Sequence, residues 1–220
     1  MAANAVGSGR GIPASDNRAR DIPGSDTSSG RWWPWVLSLA TVVAAGAAMR
    51  WEGRIWWCAC GRKNLWVSDI WSEHCSQHLV DPYTFSHISH GLLFYGVLAW
   101  VPGPWKRMSL AWKLFVANLV ECAWEVAENS ALVIDRYRSG TISIGYTGDS
   151  VINSLADIGA AAAGVLIAHV LGWKLTLALF VLMEVVMLVT IRDNLTLNVI
   201  MLLWPIQALK QWQSAGHPGA

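Results

Sequence analysis

The sequence predicts an all-α fold: a polytopic transmembrane helix bundle of five or six spans behind a disordered N-terminal tail. Three observations predict it. Of 220 residues, 54% are hydrophobic and only 14% charged, against about a quarter charged in a soluble domain. The apolar residues gather in runs near the roughly 20 that a bilayer-crossing helix needs. Fifteen residues are tryptophan, a residue that collects at membrane–water interfaces. The formal net charge of +1 argues against nucleic acid, which calls for a basic face.

Residues 1–31 are rich in Gly, Ser, Ala and Asp, with Pro13 and Pro23 and no apolar period. Such a segment buries too little surface to offset its ordering entropy, so a disordered cytoplasmic tail is expected. No apolar stretch follows a short basic start, so it does not read as a secretory signal. The transmembrane helical domain is expected over 32–212, with a short C-terminal tail over 213–220. Spans are expected near 33–50, 86–102, 110–133, 149–171 and 173–190. The second ends at the breaker Pro102-Gly103-Pro104. A sixth segment, 195–212, contains Pro205. It either spans or lies in the interface.

Lys and Arg set orientation. With the tail inside, the compact loop carrying Lys106 and Arg107 is also inside. The expected location is the bacterial cell inner membrane, multi-pass, with a cytoplasmic N-terminus. The tryptophans then fall at helix ends: Trp32, Trp33 and Trp35 at the inner start of the first span, Trp51 and Trp56 beyond its outer end. An anchoring role accounts for most of them without a cofactor, and none is expected.

Residues 51–85 form the one long loop, extracytoplasmic in this topology. Its Cys58, Cys60 and Cys75 would meet an oxidising compartment. Three states are open: a disulfide from Cys75 to Cys58 or Cys60, free thiols, or a metal. His74 and His78 are weak candidate ligands beside the cysteines, because the spacing fits no strong zinc signature. Cys122 lies within the third span and reads as packing.

Ionisable groups inside a bilayer are costly and usually face the bundle interior. Glu121, Glu125 and Glu128 stand at i, i+4 and i+7, on one narrow helical face. Asp149, Asn153 and Asp157 share a face in the same way, and His87 and His90 are neighbours at i and i+3. A run of small residues, Ala156, Ala160 and Gly164, offers a close-packing surface beside the second stripe. In the expected topology these groups, with Arg136 and Arg138 from the loop IDRYRSGTISIGYTG, meet near the outer face. Each also has a plain structural reading. Asp149 would cap a helix. An arginine would bridge to Glu128, and groups near helix ends would snorkel to water. The candidate pocket is therefore His87, His90, Glu125, Glu128, Arg136, Arg138, Asp149, Asn153 and Asp157.

The blocks SQHLVDPYTFSHISHGLLFYG, WEVAENSALVIDRYRSGTISIGYTGDSVINSLADIG and IRDNLTLNVIMLLWPI resemble a family of uncharacterised multi-pass bacterial membrane proteins. The resemblance covers nearly everything after the tail and implies no particular activity. A looser pattern is similar to VanZ-like membrane proteins: an acidic helix with Glu125 or Glu128, a loop arginine, then Asp149 and Asn153 before a small-residue stretch. His90 resembles the histidine of their earlier helix. That likeness implies a role near the cell envelope, in teicoplanin-type resistance or lipid handling.

Three functions compete. The first is a non-enzymatic envelope protein that binds a lipid head group, a peptide or a partner protein. Arg136 and Arg138 would hold an anionic group. The second is a membrane-embedded hydrolase or transferase acting on a lipid or cell-wall precursor, with Glu125 or Glu128 as base and a histidine as acid. It lacks a GxSxG elbow, an HExxH and a P-loop. The third is a small ion- or proton-coupled transporter. The expectation leans away from an enzyme, with the lipid bilayer as partner and no nucleic acid.

Overall fold

The computed structural model describes residues 32–216. The tail over 1–31 and the last residues, 217–220, lie outside them. Among the described residues the fold is all-helical, with seven α-helices and no strand: α1 (Trp33–Trp51), α2 (Thr84–Trp100), α3 (Leu110–Glu128), α4 (Ala131–Gly140), α5 (Val151–Ile191), α6 (Leu195–Leu203) and α7 (Gln207–Ser214).

Local chemistry sets the ends. Pro34 sits in the first turn of α1, where its missing N–H costs nothing. Ser109, Ser130 and Ser150 cap α3, α4 and α5 by accepting from Trp112, Val133 and Asn153 amides. Asn194 does the same for α6 through the Leu197 amide. Each cap satisfies an amide that the helix leaves unpaired.

Two segments depart from the sequence reading. The segment 110–133 is broken, because Ser130 starts a new helix, α4, which runs on through residues that read as a loop. The segment 195–212 breaks at Trp204-Pro205 into helices of 9 and 8 residues. Neither reaches the roughly 20 residues a span needs. The expectation of five or six membrane-crossing helices is not met as counted. Among the described residues one helix, α5, is long and apolar enough to cross a membrane. Only 17% of its most apolar stretch is buried.

α5 is not one straight rod. Gly172 has φ 70° and ψ 171°, inside a helix of 41 residues. Only glycine adopts that conformation cheaply. The consequence shows at α2. His87 Nε2 lies 3.9 Å from Asp157 of the first half, while the adjacent Ser86 hydroxyl lies 3.8 Å from Met187 of the second half. Thirty helical residues span about 45 Å, so α5 must double back at Gly172. α2 thus runs parallel to residues 151–171 and antiparallel to 173–191.

The most extensive helix contact is between α2 and α5, followed by α1 with α3 and α3 with α5. Two glycines permit the first. A Cβ on Gly91 would overlap the Ala161 carbonyl and lie 2.8 Å from the Val165 amide. A Cβ on Gly164 would overlap the Ile88 carbonyl and lie 3.0 Å from Gly91 Cα. Backbones touch there, as small residues allow. Leu92, Tyr95, Leu114, Ala117, Val165 and Ala168 form the apolar core at one end of this contact. The polar groups gather at the other end.

Candidate functional site

The site lies where the start of α2, the end of α3 and the start of α5 meet. His87 is its hub. Its Nδ1 donates to Glu121 Oε1 at 2.6 Å and stands 3.2 Å from Glu125 Oε1. His90 Nδ1 donates to the same Glu121 carboxylate, at 3.1 and 3.0 Å from its two oxygens. One carboxylate therefore fixes both rings at Nδ1, an assignment that follows from the hydrogen-bond network. In the neutral tautomers this leaves the Nε2 lone pairs available. The helical period explains the geometry. Residues three apart on α2 present both rings to one face, and the glutamates of α3 repeat on the opposing face.

Asp149 sits opposite. Its carboxylate accepts from the Tyr146 hydroxyl at 2.9 Å and from Asn129 Nδ2 at 3.3 Å. The Asp149 amide donates to Asn129 Oδ1 at 2.7 Å. Ser150 occupies the cap of α5, so Asp149 is not the capping residue. It is held towards the site by Asn129 and Tyr146.

A cavity of about 70 Å³ opens among these groups, lined by His87, His90, Glu128, Asp149, Asn153 and Asp157 together with Tyr83, Tyr137, Tyr146 and Asn198. A second cavity of about 300 Å³ shares Ser76, Tyr83, Ser143 and Tyr146 with it and reaches out under residues 70–77 and 142–147. The pair forms an inner pocket and a vestibule.

The structure brings together seven of the nine residues singled out from sequence. His87, His90, Glu128, Asp149, Asn153 and Asp157 line the pocket, and Glu125 lies against His87 with no exposed surface. Arg136 and Arg138 do not join them. Arg136 donates to the carbonyls of Leu202 and Leu203, at 2.6 and 3.1 Å. Arg138 donates to the Tyr146 carbonyl at 2.6 Å and stands 3.8 Å from Asp135. Neither bridges to Glu128.

Glu184 and its neighbours also have structural duties. The Glu184 carboxylate accepts the Leu195 and Thr196 amides at 3.1 and 3.0 Å, at the start of α6. Beyond α5, burial pushes the Asp193 carboxyl up to about 6, against the pull of the Asn194 amide and the Tyr83 hydroxyl. Burial likewise raises Asp81, which precedes α2, despite amides from Tyr83 and Ser76.

Sequence reasoning missed the tyrosines. Nothing in the spacing of Tyr83, Tyr137 and Tyr146 marks them, and only folding places them on the cavity. Glu121 belonged to the acidic stripe but not to the candidate pocket. Its signal was the i, i+4 spacing to Glu125.

The site is electrostatically unbalanced. Five carboxylates (Glu121, Glu125, Glu128, Asp149, Asp157) face two histidines. Both oxygens of Glu125, Asp157 Oδ1 and Glu128 Oε2 are buried without a hydrogen-bond partner. His87 with His90 and Glu121, and His87 with Glu125 and Glu128, place donor atoms within 4.8 Å of one another.

Residues 49–215 match the model of a protein family of unknown function, DUF2585. The chain belongs to that family. The DUF2585 match takes in every pocket residue named above. Among similar proteins is a UPF0314 protein of Sphingopyxis alaskensis, 45% identical over 182 residues, covering 83% of this chain and 95% of the relative. A UPF0314 protein of Sinorhizobium fredii is 46% identical over 183 residues, covering 83% and 91%. One of Paracoccus denitrificans is 44% identical over 182 residues, covering 83% and 93%. No solved structure matches the chain.

Proposed function

We propose that this DUF2585 protein is a multi-pass protein of the bacterial inner membrane whose acidic pocket, near the outer face, binds a divalent cation. One observation carries the cation: the Glu125 carboxylate is fully buried, with neither oxygen hydrogen-bonded, and the His87 Nδ1 that stands 3.2 Å away already donates to Glu121. Burying an unpaired charge costs several kcal/mol, so such groups pair, protonate or coordinate a metal. The carboxylates outnumber the histidines by three even with both rings protonated, so internal pairing cannot balance the site. Imidazole with carboxylate suits zinc, manganese or ferrous iron. Glu121 at the Nδ1 atoms is the partner that commonly orients a metal-binding histidine through its other nitrogen.

The inner pocket volume favours a small ligand. A cavity of about 70 Å³ is roughly half the 150 Å³ that holds benzene. An ion and a few waters fill the inner pocket, whereas a peptide or a lipid head group would have to extend into the vestibule. With the arginines turned away, an anionic group would meet five carboxylates and no arginine in the pocket.

Membrane placement rests on the helix directions and the apolar surface. α1, α2, α3 and the two halves of α5 alternate in direction along the bundle. Apolar side chains are exposed on α1 and on the second half of α5, including Leu39, Val43, Leu182 and Val189. Patches of this extent on soluble monomers are rare. Trp33, Trp51, Trp112 and Trp173 stand exposed at helix ends, as interfacial anchors do.

The test is metal content of the full chain purified in detergent, set against Glu125→Gln and His87→Gln. Loss of about one zinc, manganese or iron per chain in both variants, while each stays monodisperse, supports the reading. Wild-type metal content unaltered by both substitutions overturns it. A second reading, a membrane-embedded hydrolase or transferase, is favoured by the vestibule and by the His87–Glu121 pair. A carboxylate on Nδ1 leaves Nε2 placed to take a proton.

A further inference from the structure

The loop joining α1 to α2 carries a second cluster, separate from the pocket. Residues 52–83 form no helix or strand. Their ladder is a single parallel bridge, Trp66 with Val80. Loops longer than about 12–15 residues without secondary structure are uncommon in a compact fold, and something must hold them. Yet this loop has a precise duty. The carbonyls of Ile55, Trp56 and Ser76 accept the amides of Val151, Ile152 and Ser150, at 2.8, 3.3 and 2.9 Å. The loop therefore satisfies the amides that the buried N-terminus of α5 leaves unpaired. Gln77 Nε2 also donates to the Gly148 carbonyl at 2.6 Å.

Four side chains meet at its centre. Cys58 Sγ lies 3.3 Å from His74 Nδ1, and Cys60 Sγ lies 3.6 Å from His78 Nε2. All four donor atoms lie within 4.8 Å of one another. Zinc bonds of about 2.3 Å to sulfur and 2.0–2.1 Å to nitrogen set tetrahedral S···N edges of roughly 3.6 Å and S···S edges of roughly 3.8 Å. The two Cys–His edges, at 3.3 and 3.6 Å, need only small adjustments, and no other edge exceeds 4.8 Å. The His78 ring is already turned as a ligand would be, because its Nδ1 donates to the Asn64 carbonyl at 2.8 Å and leaves Nε2 to face Cys60. The edge of Trp57 packs on that ring, with centroids 5.6 Å apart. Gly61, at φ +68°, turns the chain directly after Cys60, and its amide donates to the Cys58 carbonyl at 3.1 Å. All four cysteines of the described chain are free thiols.

We propose that Cys58, Cys60, His74 and His78 bind a zinc ion that staples this loop over the start of α5. Four protein ligands make a closed, structural site rather than a catalytic one. The ion ties residues 58–60 to 74–78 and fixes Ser76, whose carbonyl serves α5 and whose side lines both cavities. One rearrangement is required. His74 Nε2 lies 2.7 Å from Arg62 Nη2. With Nδ1 on zinc, Nε2 must carry the proton, so the exposed Arg62 side chain swings away.

The experiment uses the full chain in detergent, with the metal alone as probe. Cobalt replacing zinc is expected to give the intense near-ultraviolet thiolate band and the visible bands of a tetrahedral site. Chelation of the zinc-loaded protein should expose two further thiols to alkylation, which mass mapping places on Cys58 and Cys60. Cys60→Ser and His78→Ala should each lose about one zinc per chain, whereas Cys75→Ser and Glu125→Gln keep it. A cobalt spectrum without thiolate bands overturns the proposal. So does a disulfide at Cys58 or Cys60 in the isolated protein, or zinc content unchanged by Cys60→Ser. The Glu125→Gln arm keeps this site distinct from the pocket, so either proposal can fail alone.

Discussion

His87 Nδ1 and Glu121 Oε1 lie 2.6 Å apart, and the carboxylate has no exposed surface. Glu125, one turn along α3, is equally buried but lacks a hydrogen-bond partner. The two glutamates should therefore answer substitution with opposite signs. Glu121→Leu strands two histidine donors and should cost roughly 3 kcal/mol or more, the usual result of breaking a buried pair. Glu125→Gln removes a buried charge that no hydrogen bond satisfies and should raise the stability of metal-free protein by about 1 kcal/mol. Thermal unfolding after chelation measures both. A drop for Glu125→Gln as large as that for Glu121→Leu would refute the assignment.

The crossing of α2 and α5 gives a second contrast. Gly91→Ala places a methyl against the Ala161 carbonyl and the Val165 amide, so backbones must part. A loss of about 1–3 kcal/mol, the range for overpacking, is expected. Gly159→Ala meets nothing within 4 Å and should gain up to about 1 kcal/mol from helix propensity. Equal midpoints for the two variants in one detergent would contradict the packing described.

The pH dependence follows from the raised carboxyl of Asp193. Its folded value, about 6, lies above the ordinary 3.8. The folded state thus holds its proton where the unfolded state has lost it. Stability should rise as pH falls from about 7 towards 4 and level off below the unfolded value. Buried Asp81 adds in the same direction. Asp193→Asn should flatten part of this slope. Unfolding midpoints between pH 7.5 and 4.5 check it, and an identical slope in the variant counts against a raised Asp193.

Topology is tested by fusion. A reporter active only outside the cytoplasm should work when joined after Arg138 and stay silent after Lys106 or Lys174. Activity after Lys106 would reverse the orientation. Activity on neither side would remove the membrane placement of the pocket.

Much of the pocket was legible because it depends on helical period. Glu121, Glu125 and Glu128 share a face through spacing alone, as do Asp149, Asn153 and Asp157. The fates of Arg136 and Arg138 were not legible. Arg136 is drawn to the carbonyls of Leu202 and Leu203. Those acceptors are orphaned because α6 stops at Trp204 and Pro205 brings no N–H. Nothing local to Arg136 announces this. The split of 110–133 was written in Asn129-Ser130, a capping signal masked by the apolar residues on either side. The Cys–His cluster was opaque for another reason. Its partners stand 16 and 18 residues apart with no recurrent spacing, so only the folded loop brings them together.

Gly91 and Gly164 have a consequence beyond packing. His87 stands one helical turn from Gly91, and Asp157 about two turns from Gly164. Two missing side chains thus act as a ruler for the gap between the histidine and the aspartate. Backbone contact sets a floor and the apolar core below sets a ceiling, so the walls have little freedom to follow a guest. For the cation proposed above, a cavity gauged in this way would sort ions by radius. It should favour the smaller first-row divalent cations over calcium, whose bonds to oxygen are longer, at about 2.3–2.6 Å. Enlarging Gly164 would then change which ion is accepted as well as how tightly it is held.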